Sequence, residues 1–182
     1  MSVHNQHRLF FGIEIPLPAK QAIETCLRTF PQPLHRRIPA EQWHITIFFL
    51  GECPDIRGYA SRMRAPIPQA YLPTVQITHL GLGLRPNQVW AYVSPSPLLD
   101  AIRAGILARL KKMRFPSTRL RQSQSFVPHI HVADVPPGKN PSLAPDSLVQ
   151  TVFPLKEVVL FESKKTETGL AYTPELRIPL IP

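Results

Sequence analysis

The sequence predicts an α+β chain of two related lobes. Two observations carry this. Strand-like and helix-like segments interleave along the whole chain, with no low-complexity tract between them. A His-x-(Thr/His)-apolar strand also occurs once in each half, at His44 and at His129, 85 positions apart. That spacing is too long for a solenoid repeat. It suits one domain, residues 1–182, whose two lobes each bring one histidine to a shared cleft. Hydrophobic residues make up 43% of the 182, enough to build a core and to exclude a disordered chain.

The elements follow from local pattern. Arg8–Ile15 is an apolar, partly β-branched run and reads as a buried strand. Pro18 opens a helix whose face is Ala22, Ile23, Cys26, Leu27 and Phe30, and Pro31 stops it. Leu34–Glu41 is basic and reads as irregular. Trp43–Leu50 is a second strand, expected to end at Gly51, and residues 55–64 suit a short helix. Thr74–Leu84 and Gln88–Ser94 read as strands joined by a turn at Arg85-Pro86-Asn87.

The next segment is the clearest helix. Ser96 is placed to cap it, Pro97 suits its first position, and Leu99, Ile102, Ile106, Leu110 and Met113 share one face. Lys111, Lys112 and Arg114 favour the negative end of its dipole. Phe115–Ser125 is polar and basic, a loop by composition. His129–Val135 is a strand, and Val158–Ser163 and Tyr172–Leu180 close the chain on either side of a polar turn containing Gly169.

Composition narrows the class of function. There are 22 prolines against 8 glycines, which favours rigid connections over flexible linkers. No apolar run approaches the roughly 20 residues that span a bilayer, and the opening segment carries Glu14 and no small-residue cleavage site, so neither a membrane anchor nor a signal peptide is expected. Cys26 and Cys53 are then expected as thiols in a reducing cytoplasm. A formal charge of +9 favours polyanionic partners, since Lys and Arg contacts to phosphates release counterions. A solvated basic surface would give the same sum.

The two histidine strands carry the chemistry. Alternation puts His44 and Thr46 on one face and Ile45 and Ile47 on the other, and likewise His129 and His131 against Ile130 and Val132. Each motif therefore presents two polar groups to a cleft and packs two aliphatics behind them. Opening a cyclic phosphate needs two proton transfers, one from the attacking water and one to the leaving ribose oxygen. Two imidazoles with ordinary pKa values of about 6.5 serve as base and acid near neutrality. Hydroxyls such as that of Thr46 donate hydrogen bonds that strengthen as charge develops on the phosphoryl oxygens. A single histidine on a strand is usually a satisfied structural residue, and His4, His7, His35 and His79 carry no functional reading.

Two rivals stand beside this reading. His129 and His131 share a face, and His44 would complete a three-histidine zinc site with an open position, although no Cys or carboxylate cluster supports it. A non-catalytic module that binds RNA ends through basic and aromatic groups also fits.

RLFFGIEIP, WHITIFFLGE, FVPHIHVAD and LFESKKTETGLAYTPELRIPL, in that order, resemble the 2H phosphoesterase superfamily, and within it the RNA 2',3'-cyclic phosphodiesterase family, also called 2'-5' RNA ligase. The resemblance implies a bilobal α+β fold, with two antiparallel sheets and outer helices about a pseudo-twofold and an active-site cleft between the lobes. It implies hydrolysis of RNA 2',3'-cyclic phosphate ends to 2'-phosphates with no cofactor and no metal. His44 would be the proton donor and His129 the proton acceptor, with Thr46 and His131 binding the phosphate. Reversible 2'-5' joining of tRNA-like fragments is the same exchange with a hydroxyl in place of water. A cytoplasmic monomer with no obligate protein partner is expected. The second motif departs from the family pattern, with His131 where Thr is usual and Asp134 where Arg is common. Asp134 would repel a phosphate if it faced the cleft, and regular alternation would turn it away. Arg119, Arg121 and Lys139 are candidates for the missing cation.

Overall fold

The computed structural model describes residues 7–53, 62–68, 73–85, 87–115, 126–137, 147–167 and 169–182. Most of the helix expected over 55–64, together with Arg119, Arg121 and Lys139, lies outside these residues.

The fold is α+β with two lobes, each organised on a five-stranded sheet. Strands β1 (His7–Glu14), β3 (His44–Cys53), β4 (Ile67–Pro68), β9 (Glu157–Thr166) and β10 (Gly169–Ile181) form the first sheet, in the order β3-β1-β9-β10-β4. Strands β2 (Arg36–Arg37), β5 (Thr74–Leu82), β6 (Gln88–Val93), β7 (His129–Asp134) and β8 (Leu148–Pro154) form the second, in the order β2-β7-β6-β5-β8. Neighbours run antiparallel except β4 and β10, which are parallel, with Leu180 beside Ile67.

Among the described residues two long helices fasten these sheets. Helix α1 (Leu17–Arg28) follows β1 but packs against β8 and β5, burying Ala19, Ile23 and Leu27. Helix α2 (Pro97–Lys112) follows β6 but packs against β3, burying Leu99, Ile102, Ile106 and Leu110. Each such aliphatic side chain contributes about 1.5–3 kcal/mol relative to exposure. The α2 stripe is therefore what seats an otherwise basic helix. Ser96 caps α2 as its sequence promised, its hydroxyl accepting from the Leu98 N–H at 3.3 Å. Both helices and the inner faces of both sheets meet in one buried cluster.

Three local readings change. Strand β3 runs through Gly51 to Cys53 because Gly51 takes a left-handed φ of 77°. The β1 pairing steps from Leu9–Gly51 to Phe10–Phe49 there, a bulge rather than a strand end. The stretch 34–41 is not wholly irregular, since Arg36 and Arg37 pair with Asp134 and Ala133, and Ala40–Gln42 form a short 3-10 turn. Strand β8 was not anticipated. Cys26 and Cys53 are separate thiols, not joined in a disulfide.

Candidate active site

The sheet register places the two motifs. On β3, His44 lies opposite Glu14 and Thr46 opposite Gly12 of β1. On β7, His129 lies opposite Tyr92 and His131 opposite Trp90 of β6. Strands β3 and β7 approach one another between the sheets, and His44 lies within electrostatic reach of His129 and His131.

The two histidines are held in the same way. His44 Nδ1 lies 2.7 Å from the carbonyl of Gln42, and His129 Nδ1 lies 2.7 Å from the carbonyl of Val127. In each case the partner is the backbone two residues upstream. A carbonyl only accepts, so both rings carry the proton on Nδ1 and leave Nε2 for chemistry. The Nε2 of His44 is 3.1 Å from Thr46 Oγ1. That matched pair of clamps is the geometric core of the site.

Their surroundings differ. His44 sits among rings from three strands: Phe10 at 4.6 Å, Tyr172 edge-on at 5.0 Å and Phe161 at 6.1 Å between centroids. Burial there outweighs the Gln42 hydrogen bond and lowers the pKa of His44 from 6.5 to about 4, with the charges of His129 and His131 adding to the effect. His129 stacks on Trp90 at 3.6 Å and 15°. Its pKa is also lowered, first by burial and then by Arg85 and His131, against the Val127 hydrogen bond. Trp90 is anchored in turn by its indole N–H, which donates to Gln88 Oε1 at 2.9 Å.

Asp134 does face the same side as His131. The β6–β7 register steps from Trp90–His131 to Val89–Ala133, so Val132 is an extra residue in β7 and alternation fails there. The Asp134 carboxylate is fully engaged: Oδ1 is 2.8 Å from His131 Nε2, and Oδ2 accepts from Arg36 Nε at 2.8 Å and Nη2 at 2.7 Å. Arg36 of β2 thus neutralises the acid that stands in the second motif. Arg8 and Arg36 lie close enough to act electrostatically on Tyr172, and Arg85 on His129. The cations the sequence suggested lie downstream, whereas Arg36 reaches Asp134 only through the pairing of β2 with β7.

The three-histidine metal site does not assemble. Among the described residues no group of three His, Cys, Asp or Glu side chains is placed to hold an ion. His131 turns its Nε2 to Asp134, away from a shared centre with the other two rings.

No family model matches the chain. It is 26% identical over 179 residues to the RNA 2',3'-cyclic phosphodiesterase of Escherichia coli (strain K12), covering 92% of this chain and 93% of that one. Its fold matches the crystal structure of a phosphoesterase with a TM-score of 0.77, at 23% identity, over 98% of this chain and 100% of that one. It likewise matches E. coli LigT complexed with 3'-AMP, with a TM-score of 0.74, 23% identity and coverage of 97% and 99%. These likenesses agree with the resemblance read from the four sequence segments. Among the described residues no helix is long and apolar enough to cross a membrane.

Proposed function

We propose that this chain is a 2H phosphoesterase with a specific activity, metal-independent hydrolysis of RNA 2',3'-cyclic phosphate ends to 2'-phosphates; its likeness to the E. coli RNA 2',3'-cyclic phosphodiesterase and the LigT fold supports this reading. The observation that carries it is the matched clamping of His44 and His129, which gives two Nε2 atoms for two proton transfers. In this reading His129 Nε2 takes a proton from water as the oxygen attacks phosphorus. The bond from phosphorus to the 3' oxygen breaks, and His44 gives that oxygen its Nε2 proton. Thr46 and His131 hold the phosphoryl oxygens, where charge grows in the transition state.

A general acid must be protonated, and burial works against that at His44. An anionic phosphate bound beside the ring opposes burial and favours the charged form. The substrate itself then loads the acid. The +9 charge, with arginines near Tyr172 and His129, suits RNA better than a small neutral ester. With a ribose hydroxyl replacing water, the same exchange joins 2'-5' ends, as on tRNA fragments. We place this activity in one domain acting as a cytoplasmic monomer.

The test is a short RNA ending in a 2',3'-cyclic phosphate, incubated with the protein in EDTA, with the product end mapped. A 2'-phosphate made by wild type and absent from folded His44→Ala and His129→Ala supports the reading. No turnover with or without zinc, despite tight binding of the RNA, overturns it in favour of a binding module.

A further inference from the structure

Position 134 carries an acid onto the face where an anion is to bind, and position 131 an imidazole tied to that acid. The carboxylate is largely shielded, its side chain 18% exposed, while the Arg36 side chain that covers it is 63% exposed. A shielded carboxylate accepts only, so the 2.8 Å contact fixes the His131 proton on Nε2 and fixes the ring plane with it. The other carboxylate oxygen is satisfied twice over by one guanidinium. Because Val132 is the extra residue of β7, Asp134 cannot turn to the opposite face without a change in strand register. The acid is built in, and so is its cancellation.

We propose that Arg36 and Asp134 are a positioning pair for phosphate binding. Asp134 accepts from His131 Nε2–H and so directs Nδ1 at the phosphate, to which it donates as the imidazolium, and Arg36 cancels the carboxylate so that it does not repel the anion. Arg36 acts through Asp134, not by holding the substrate. This deepens the phosphodiesterase reading and rests on the same cleft. An ordinary exposed ion pair would contribute little to stability and nothing to ligand affinity. A directly bound arginine would contribute equally whatever stands at 134. The three cases separate in a double-mutant cycle.

The measurements are the Kd for inorganic phosphate, and KM and kcat on the cyclic-phosphate RNA, for Arg36→Ala, Asp134→Ala and the double variant. Arg36→Ala leaves the acid uncompensated and weakens phosphate about tenfold, an effect expected of one nearby like charge. The loss falls in KM more than in kcat. Adding Asp134→Ala removes the repulsion, so the double variant binds phosphate as Asp134→Ala alone does, and Arg36→Lys, which keeps the charge, loses little. In a His131→Thr background Asp134 has no ring to orient, so Asp134→Ala should improve phosphate binding there while impairing it in wild type. Equal losses for Arg36→Ala with and without Asp134 would show a direct contact and overturn the proposal. Nitrogen-15 correlation of the imidazoles gives an arm free of turnover: His131 should carry its proton on Nε2 in wild type and lose that preference in Asp134→Ala. A bare Nε2 in wild type overturns the positioning claim. If the RNA is not turned over at all, the phosphate and imidazole measurements still decide this proposal separately.

Discussion

The burial of His44 makes a prediction about acid stability. A histidine held neutral in the folded state, with a pKa of about 4 against 6.5 when unfolded, favours folding while both states are neutral. As pH falls below 6.5 the unfolded chain takes up a proton that the folded chain refuses. The contribution is therefore complete above about pH 6.5 and is lost progressively as pH falls to about 4. The gap of about 2.5 units corresponds to about 3 kcal/mol, of the order of a quarter to a half of a typical domain's stability. The perturbation is His44→Gln, which keeps a polar side chain and cannot titrate. The assay is urea denaturation of both proteins at about pH 7.5 and about pH 4. Wild type should lose about 3 kcal/mol more than the variant across that interval. Tyr172→Ala, by opening the ring cage to water, should raise the His44 pKa and shrink the difference. A His44 imidazole that titrates near 6.5 by NMR in wild type, with equal acid sensitivity in the two proteins, would refute the reasoning.

Two further outcomes test the scaffold. A Cβ added at Gly83 would lie 2.3 Å from the Trp90 ring, which is only 3% exposed and pinned between Gln88 and His129. Gly83→Ala should cost about 1–3 kcal/mol by overpacking and shift His129 enough to cut kcat at least about tenfold, read by denaturation and steady-state kinetics. Unchanged kcat would mean that Trp90 does not set the histidine's place. Ser96→Ala should cost about 1 kcal/mol through loss of the α2 cap and leave turnover unaltered. A loss of activity there would show that α2 reaches the cleft through β3.

What the sequence disclosed was what local periodicity encodes. The β1 and β3 runs, the α2 stripe and cap, the β5–β6 pair and the two closing strands were all legible from period-2 or 3.6-residue patterns. Both histidines and their neighbours at positions 46 and 131 were legible because a short motif recurred. Strand β8 was not, since its residues are mostly exposed or half-exposed and only Phe153 is buried, leaving no apolar run to notice. Strands β2 and β4 have two residues each and exist by pairing alone. The extra residue at Val132 has no glycine to announce it, so the direction of Asp134 could not be read from alternation. The cage around His44 draws Phe10, Phe161 and Tyr172 from three strands, and its effect on protonation emerges only when they meet.

The order of strands also bears on how the protein is made. In the second sheet every strand precedes β9 in the chain, so that sheet is complete in sequence by Pro154. The first sheet is not, because β9 lies between β1 and β10 and is among the last strands produced. Until Glu157–Thr166 emerges, the apolar stretch Leu9–Ile13 has a neighbour on one side at most, the kind of open edge that recruits chaperones or other chains. A released chain truncated before β9 would have every strand of the His129 half and an open His44 half. Such a fragment would be sticky, and the surroundings of His44 would come into being only once the β9–β10 hairpin is in place.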